Sequence, residues 1–131
     1  MLLLQLVSFF ILFNLILAIF LALAVMKKRM KLQVSLGDGN NKLLQRSIRA
    51  HMNHLENLIL GGFFLILMYL NQAAFWAVLI FGNLFSISRC FIAFALSSDN
   101  ENHIKFRMIG NIQSLISYVF AILVLLYLLI Q

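Results

Sequence analysis

Four long apolar runs constrain this chain more than any other feature of its sequence. The first, Leu2–Met26, carries no charged side chain, and three further runs of similar length follow it. An α-helix needs about 20 apolar residues to cross a bilayer. Of the 131 residues, 63% are hydrophobic and only 11% are charged, and a soluble domain of this size could not bury so much apolar surface. The sequence therefore predicts an all-α membrane protein, a four-transmembrane-helix bundle in a single domain over residues 1–131.

Polar segments separate the four predicted helices. The first helix covers Leu2–Met26, the second begins near Asn41–Leu44 and runs to about Leu70, the third runs from about Phe75 to Leu96, and the fourth from about Ile104 to Ile130. Gly and Asn cluster in the first connection, as expected for turns. A cleavable signal peptide is the competing interpretation of the first run. No basic residue precedes that run, and it is too long for the apolar region of a signal peptide, so we predict a true helix.

The distribution of charge predicts the orientation in the membrane. All 10 Lys and Arg residues lie in the first connection, in the connection between helices three and four, or in the parts of the helices that approach them. Under the positive-inside rule, the polar loops 27–45 and 97–106 are cytoplasmic, and both termini lie on the opposite side. The net charge of +6 thus reflects membrane topology and does not indicate nucleic-acid binding.

One face of the second helix is polar. At about 100° per residue, Arg46, Arg49, Asn53, Glu56 and Asn57 fall within an arc of about 100°. A carboxylate and amides within a membrane helix are energetically costly, so they are expected to be paired or used in function. This face is the strongest functional indication in the sequence.

Depth in the membrane predicts a partner for Glu56. At 1.5 Å per residue, Glu56 lies about 15 Å past the cytoplasmic start of helix two, and Arg89 lies about 12 Å from the cytoplasmic end of helix three. We therefore predict a structural Glu56–Arg89 ion pair. The pair leaves Arg49 and Asn53 unexplained. With Arg107 they would line a basic cavity that suits a small polyanionic ligand whose reaction partner arrives from the lipid.

The segment Arg46–Glu56, written Arg-x-x-Arg-Ala-His-x-Asn-x-x-Glu, resembles the second-helix motif of the MAPEG family. These membrane-associated proteins of eicosanoid and glutathione metabolism include microsomal glutathione transferases and a non-catalytic lipoxygenase-activating protein. The resemblance extends to length, four-helix layout and loop orientation. It implies a homotrimer that binds glutathione as co-substrate between protomers near the cytoplasmic face. It also implies a transferase or peroxidase activity towards hydrophobic electrophiles, and contact with membrane lipids.

The resemblance also implies roles for individual residues. Arg107 looks like the fourth-helix arginine near the glutathione thiol, which makes it the expected catalytic residue, and Arg89 matches the third-helix arginine. The glutathione-binding residues that the resemblance implies are Arg49, Asn53, Glu56 and, at the end of the first helix, Lys28 or Arg29. The chain departs from the family on helix three, where Ile92 and Leu96 replace a His or Tyr and a Tyr.

Other functional classes have less support in the sequence. His51 and His54 stand three residues apart, but no further ligand stands at metal-binding spacing, so no metal site is predicted. The single cysteine, Cys90, excludes an internal disulfide. A four-helix multidrug exporter generally needs an acidic residue in its first helix, which Leu2–Met26 lacks. Two alternatives remain, a glutathione-dependent enzyme and a non-catalytic member of the family that binds lipids or a partner.

Overall fold

The part of the chain that the structure describes contains four α-helices. The structure is a computed structural model, and it describes residues 1–97 and 104–130. The helices are α1 (Leu2–Leu32), α2 (Lys42–Leu70), α3 (Phe75–Ser97) and α4 (Ile104–Ile130). Each is long and apolar enough to cross a membrane, which confirms the predicted fold class. Of the predicted polar loop 97–106, residues 98–103 lie outside the described residues.

Helix α1 is longer than the sequence predicts. It continues beyond Met26 through the basic run and ends at Leu32, where Gln33 adopts a left-handed conformation with φ 55°. Lys, Arg and Met are strong helix formers, so the helix does not stop where the apolar run stops. Arg29 and Lys31 lie in the last turn, where cations interact favourably with the carbonyl end of the helix. We call this end of the bundle, where α1 ends and α2 and α4 begin, the basic end.

An asparagine cap sets the start of α2. Asn41 precedes the helix in an extended conformation, and its side-chain oxygen accepts hydrogen bonds from the backbone N–H groups of Leu43 and Leu44, both at 3.0 Å. These bonds satisfy two of the four N–H groups that a helix start leaves without partners. The cap thereby fixes the register of the polar face of α2 relative to the basic end.

Helix α3 occupies the centre of the bundle. Of its most hydrophobic stretch 56% is buried, against 22% for α1, 22% for α2 and 17% for α4. It packs most extensively against α4 and also against α1 and α2, and α1 packs along α2. The largely apolar outer faces of α1, α2 and α4 are therefore left for lipid or for other subunits.

The main core lies away from the basic end. It joins aromatic and aliphatic side chains of the four helices, with Phe81 and Phe85 of α3 fully buried at its centre. The Phe81 and Phe85 rings stack with centroids 5.9 Å apart. A smaller cluster of Leu21, Ala50 and Ala93 joins α1, α2 and α3 nearer the basic end. The small residues of this cluster let the helices approach closely, as is typical of membrane bundles.

A buried polar layer ties α1 to its neighbours between these two clusters. The Asn14 side-chain amide donates to Ser86 Oγ of α3 and to the Phe10 carbonyl, both at 2.9 Å. His54 Nε2 of α2 lies 2.8 Å from the Asn14 carbonyl oxygen. Because that oxygen only accepts, Nε2 carries the proton. Asn14 itself is fully buried.

Two neighbouring glycines in α2 offer a test of this packing. A Cβ on Gly61 would collide with the Phe85 ring, whereas a Cβ on Gly62 would meet nothing within 4 Å. We expect Gly61→Ala to lower the free energy of unfolding by on the order of 1 kcal/mol, because the buried ring must move. Gly62→Ala is the matched control, and it should be neutral or stabilising because alanine favours the helix. Unfolding by denaturing detergent measures both variants, and equal stability would contradict the close approach of α2 to α3.

Candidate functional site

A polar cavity opens between α2, α3 and α4 near the basic end, and we call it the α2–α4 cavity. Its volume is about 280 Å³. Two arginines, one carboxylate and two amides line it together with three apolar side chains: Arg49, Met52, Asn53, Glu56, Ile92, Leu96, Arg107 and Asn111. The polar groups come from α2 and α4, and the apolar wall comes mainly from α3.

Helical periodicity explains how α2 brings its polar groups to this cavity. Arg49, Met52, Asn53 and Glu56 follow the i, i+3, i+4, i+7 spacing that places side chains on one helix face. On α4, Arg107 and Asn111 are one turn apart and face the same space. The structure therefore brings together four of the residues predicted for the site, namely Arg49, Asn53, Glu56 and Arg107.

The charged groups of the cavity are exposed on the surface of the protomer. Arg49, Glu56 and Arg107 are all exposed, and Asn111 beside Arg107 is exposed as well. Within residues 1–97 and 104–130, none of the three charged groups forms an ion pair. Charged side chains on membrane-spanning helices are expected to face water, a ligand or another polar surface. The cavity therefore presents two guanidinium groups and one carboxylate that are open to a partner.

Asn53 is held in place from the buried side of the cavity by Arg89. Arg89 is 2% exposed, and its guanidinium donates from Nη1 to the Asn53 side-chain oxygen at 3.5 Å. It also donates from Nε to Ser88 Oγ at 3.3 Å and from Nη2 to Ser114 Oγ of α4. The guanidinium carbon lies 5.6 Å from the centre of the Phe85 ring, within the range of a cation–π contact. Arg89 thus links α2, α3 and α4 behind the cavity.

The protomer differs here from the predicted Glu56–Arg89 ion pair. The Arg89 side chain is buried among neutral oxygens and an aromatic ring, whereas Glu56 is exposed at the cavity. No ion pair joins these two residues in the described part of the protomer. The estimate of depth from sequence placed them at a similar height, but it could not determine the direction of each side chain around its helix. Hydroxyl and amide oxygens replace the carboxylate as acceptors for the guanidinium.

A double-mutant cycle tests this network. Because Ser114 accepts a hydrogen bond from Arg89, we expect Arg89→Leu and Ser114→Ala to couple in stability by on the order of 1 kcal/mol. Arg89→Leu and Glu56→Gln should be additive. Ser117→Ala is the matched control, since Ser117 is buried on α4 but donates to the Ser114 carbonyl. Thermal unfolding in detergent measures the coupling energies. A Glu56–Arg89 coupling as large as the Arg89–Ser114 coupling would support the predicted ion pair instead.

Close contact between α3 and α4 places Arg107 at the cavity. A Cβ on Gly110 would lie 2.6 Å from Ile92 Cγ1 and 3.0 Å from the Ser88 carbonyl oxygen. The missing side chain therefore allows α4 to lie directly against the α3 backbone. Gly110 stands one turn after Arg107, and Ser114 one turn further along. This contact and the Arg89–Ser114 bond together set the position of the start of α4.

A second hydrogen-bonded link joins α2 and α4 next to the cavity. The Tyr118 hydroxyl donates to the Asn57 side-chain oxygen at 2.8 Å, and the Asn57 amide donates to the Asn53 carbonyl at 2.7 Å. Asn57, predicted as part of the polar face, therefore holds the two helices together and does not line the cavity. The Arg89–Asn53 bond and the Tyr118–Asn57–Asn53 link thus both support Asn53 from the interior of the bundle.

The two predicted cations of α1 do not line this cavity in the protomer. Arg29 donates from Nη1 to the Ser35 carbonyl at 3.4 Å and from Nη2 to the Gly37 carbonyl at 3.1 Å. It therefore organises the connection between α1 and α2. Lys28 is half-buried on the same turn.

Sequence reasoning missed several residues of the site. Met52 and Asn111 line the cavity, and Ser88 and Ser114 support Arg89. Asn111 could have been assigned from its spacing, because it stands four residues after Arg107 on a membrane helix. The serines gave no comparable indication, since a hydroxyl on a membrane helix often bonds to its own backbone.

The sequence matches the MAPEG family over residues 7–128. No curated protein matches, and no solved structure matches. The matched range covers α2 and α3 completely, most of α1 and α4, and every residue that lines the α2–α4 cavity. The chain therefore belongs to the MAPEG family and is a four-helix, multi-pass integral membrane protein.

Proposed function

We propose that this protein is a glutathione-dependent transferase or peroxidase that acts on lipophilic electrophiles. The observation that carries the proposal is the α2–α4 cavity, in which two arginines, a carboxylate and two amides face an apolar wall. In this proposal glutathione binds in the cavity as co-substrate, and the electrophile reaches it from the membrane. The loops at the basic end then face the cytoplasm, in agreement with the positive-inside rule.

The chemistry of glutathione matches the groups that line the cavity. The tripeptide carries two carboxylates, one ammonium group and two peptide amides. Guanidinium groups bind carboxylates through paired, charge-assisted hydrogen bonds, which suits Arg49 to a carboxylate of the tripeptide and leaves Arg107 for the sulfur. The Glu56 carboxylate suits the ammonium group, and the side-chain amide of Asn53 suits a peptide group. Arg89 acts through Asn53, so it is a positioning residue in this proposal.

A homotrimer would complete the site. At about 280 Å³ the cavity lies at the lower limit of ligand pockets, which are typically about 300–1,000 Å³, and its charged groups are exposed. We propose that α1 of a neighbouring protomer covers it and adds a cation. Lys28 is the better candidate for that cation, because Arg29 is engaged by carbonyl groups of its own connection.

The proposed reaction needs an ionised thiol. In the transferase reaction the thiol proton passes to water and the thiolate attacks the electrophilic carbon, so that a carbon–sulfur bond forms as the leaving group departs or a strained ring opens. In the peroxidase reaction the thiolate attacks a hydroperoxide oxygen. The O–O bond breaks, the alkoxide takes a proton from water and leaves as an alcohol, and the thiol of a second glutathione displaces water from the resulting sulfenic acid to form the disulfide. Arg107 is proposed to stabilise the thiolate, and Ile92 and Leu96 form the apolar wall beside it.

Activity in detergent tests the proposal. Purified protein is given a lipophilic aryl halide or a lipid hydroperoxide, with and without glutathione, and product is measured above the uncatalysed rate. Glutathione-dependent turnover that is strongly reduced in Arg107→Leu supports the proposal that the protein is an enzyme. Calorimetry with non-reactive S-alkyl analogues of glutathione separates binding from chemistry. Absence of both binding and turnover would reject the proposal.

A non-catalytic member of the family is the second candidate. It is favoured by Ile92 and Leu96, because two apolar side chains stand in the cavity where the family pattern carries polar groups. Each lost hydrogen bond to a bound ligand removes about 0.5–1.5 kcal/mol of affinity. Binding of a lipid without any glutathione-dependent turnover would identify this class.

A further inference from the structure

Asn111 is a polar side chain of the α2–α4 cavity that glutathione itself does not require in the proposed arrangement. Arg49, Asn53 and Glu56 are matched to the carboxylate, peptide and ammonium groups of the tripeptide, and Arg107 is matched to its sulfur. The side-chain amide of Asn111 also lines the cavity. It is exposed on α4, one turn after Arg107, and is therefore open to the second substrate.

The side chain of Asn111 differs from those of other asparagines on the helices. Asn14, Asn57 and Asn83 each donate a side-chain N–H to the backbone carbonyl four residues earlier, at 2.9, 2.7 and 2.8 Å. The Asn111 amide makes no such bond to the Arg107 carbonyl, and it has no other hydrogen-bond partner within residues 1–97 and 104–130. A polar group without a partner is costly on a membrane helix. Both N–H groups of Asn111 are therefore available to a group that enters the cavity.

Asn111 lies on the membrane side of Arg107. Helix α4 rises about 6 Å from Arg107 to Asn111 at 1.5 Å per residue, in the direction away from the basic end. Gly110 packs directly against Ile92 of α3, so Asn111 stands at the level of this apolar side chain. An electrophile that comes from the lipid therefore reaches the level of Asn111 and Ile92 before it reaches a sulfur beside Arg107.

We propose that Asn111 makes the α2–α4 cavity selective for electrophiles that release an alkoxide, namely hydroperoxides and epoxides. This inference rests on the proposed glutathione-dependent activity and adds its substrate class. With a hydroperoxide, the sulfur–oxygen bond forms, the O–O bond breaks, and the electron pair passes to the alkoxide oxygen. With an epoxide, the carbon–sulfur bond forms and the C–O bond of the ring breaks, which again produces an alkoxide. In both reactions an N–H of Asn111 donates to this oxygen until water protonates it.

An alkoxide gains more from this contact than a halide does. A donor that is already in place where charge develops stabilises the transition state without reorganisation. Alkoxides are strong hydrogen-bond acceptors and poor leaving groups, whereas chloride is a weak acceptor and leaves readily. The Asn111 amide should therefore accelerate reactions with hydroperoxides and epoxides much more than substitution of an aryl halide.

Turnover of three electrophiles by the full chain in detergent tests this selectivity. Cumene hydroperoxide and styrene oxide release an alkoxide, and chlorodinitrobenzene releases chloride. Removing one preorganised donor to an oxyanion typically lowers kcat by about 100- to 1,000-fold. Because Asn111 is exposed and water also solvates the oxygen, we expect Asn111→Leu to lower kcat by about tenfold or more for the first two electrophiles and by less than about twofold for chlorodinitrobenzene. Binding of S-hexylglutathione, measured by calorimetry, should be unchanged.

Two variants serve as controls for Asn111→Leu. Asn111→Gln keeps the amide and should retain most of the hydroperoxide turnover. Asn83→Leu makes the same change on α3, where the amide is also exposed but does not line the cavity, and it should leave all three turnovers unchanged. Across hydroperoxides that release alcohols of increasing acidity, turnover by Asn111→Leu should depend more steeply on that acidity than wild-type turnover. A role of Asn111 in helix packing alone would not change this dependence.

The outcomes distinguish a failure of this selectivity from a failure of the proposed function. Absence of glutathione-dependent turnover of every electrophile by the wild-type protein would reject both. Wild-type turnover that Asn111→Leu lowers equally for all three electrophiles would keep the enzyme but overturn the selectivity. A loss of subunits in Asn111→Leu with unchanged ratios of turnover would show instead that the amide bonds to a neighbouring protomer. If Asn111→Leu does not fold, Asn111→Ala removes the same amide without added bulk and gives the same comparison.

Discussion

Arg107→Leu is expected to lower turnover at saturating glutathione by at least tenfold at pH 7, while glutathione still binds measurably. An unperturbed thiol with a pKa of about 8.5 is only a few per cent ionised at neutral pH. Lowering that pKa by about two units requires roughly 2.7 kcal/mol. A unit charge about 4 Å away supplies roughly 4 kcal/mol at an effective dielectric constant of about 20. One guanidinium is therefore sufficient.

The same argument predicts how the defect of Arg107→Leu depends on pH. A thiolate of lower pKa is also a weaker nucleophile, with a Brønsted slope of about 0.4–0.5. Part of the gain from ionisation is lost in this way, and we attribute the rest of the tenfold effect to orientation of the sulfur. Above the free thiol pKa both proteins hold thiolate, so the ratio of wild-type to variant turnover should fall as pH rises from 7 to 9.5.

The control for this prediction is Lys105→Leu. It removes the same charge from the first turn of α4, but Lys105 does not line the cavity. Turnover and the ultraviolet thiolate band of bound glutathione should be unchanged in Lys105→Leu and strongly reduced in Arg107→Leu. If the band and the turnover both survive in Arg107→Leu, Arg107 only anchors α4 at the interface, and another group activates the thiol.

Arg49→Leu is expected to weaken glutathione binding by about 10- to 100-fold with little change in turnover at saturation. Hydrogen bonds to charged groups contribute about 1.5–3 kcal/mol, and each 1.4 kcal/mol is a factor of ten in affinity. Arg49 is proposed to hold a carboxylate that does not react, so its loss affects the bound substrate and the transition state equally. Calorimetry and initial rates separate Kd from kcat.

Lys42→Leu provides the matched control for Arg49→Leu. Lys42 is exposed at the start of α2, seven residues and two turns before Arg49 on a similar face, and it does not line the cavity. Equal weakening of glutathione binding by both substitutions would mean that the general positive potential of the basic end attracts the anion. A loss of kcat in Arg49→Leu without a change in Kd would instead place Arg49 at the reacting sulfur.

Hydrophobic length and charge distribution were sufficient to predict the helices. The C-terminal end of α2 and the start of α4 agree with the predicted ones, because polar residues stand at these two boundaries. The end of α1 was misplaced, since the loss of apolar character at Lys27 does not end a helix whose next residues favour helical structure. Four residues of the candidate site, Arg49, Asn53, Glu56 and Arg107, were also predictable, because helical spacing determines which side chains share a face.

The sequence by itself determined that the chain lies in a membrane, that it forms four helices and that α2 has a polar face, because these follow from local composition and a period of 3.6 residues. Only the tertiary structure decided the partners of Arg89, the separate position of Arg29 and the apolar wall of Ile92 and Leu96. Each depends on how one helix is rotated against the next. That rotation is set by close contacts such as Gly110 on the α3 backbone, and no periodicity within a single helix contains this information.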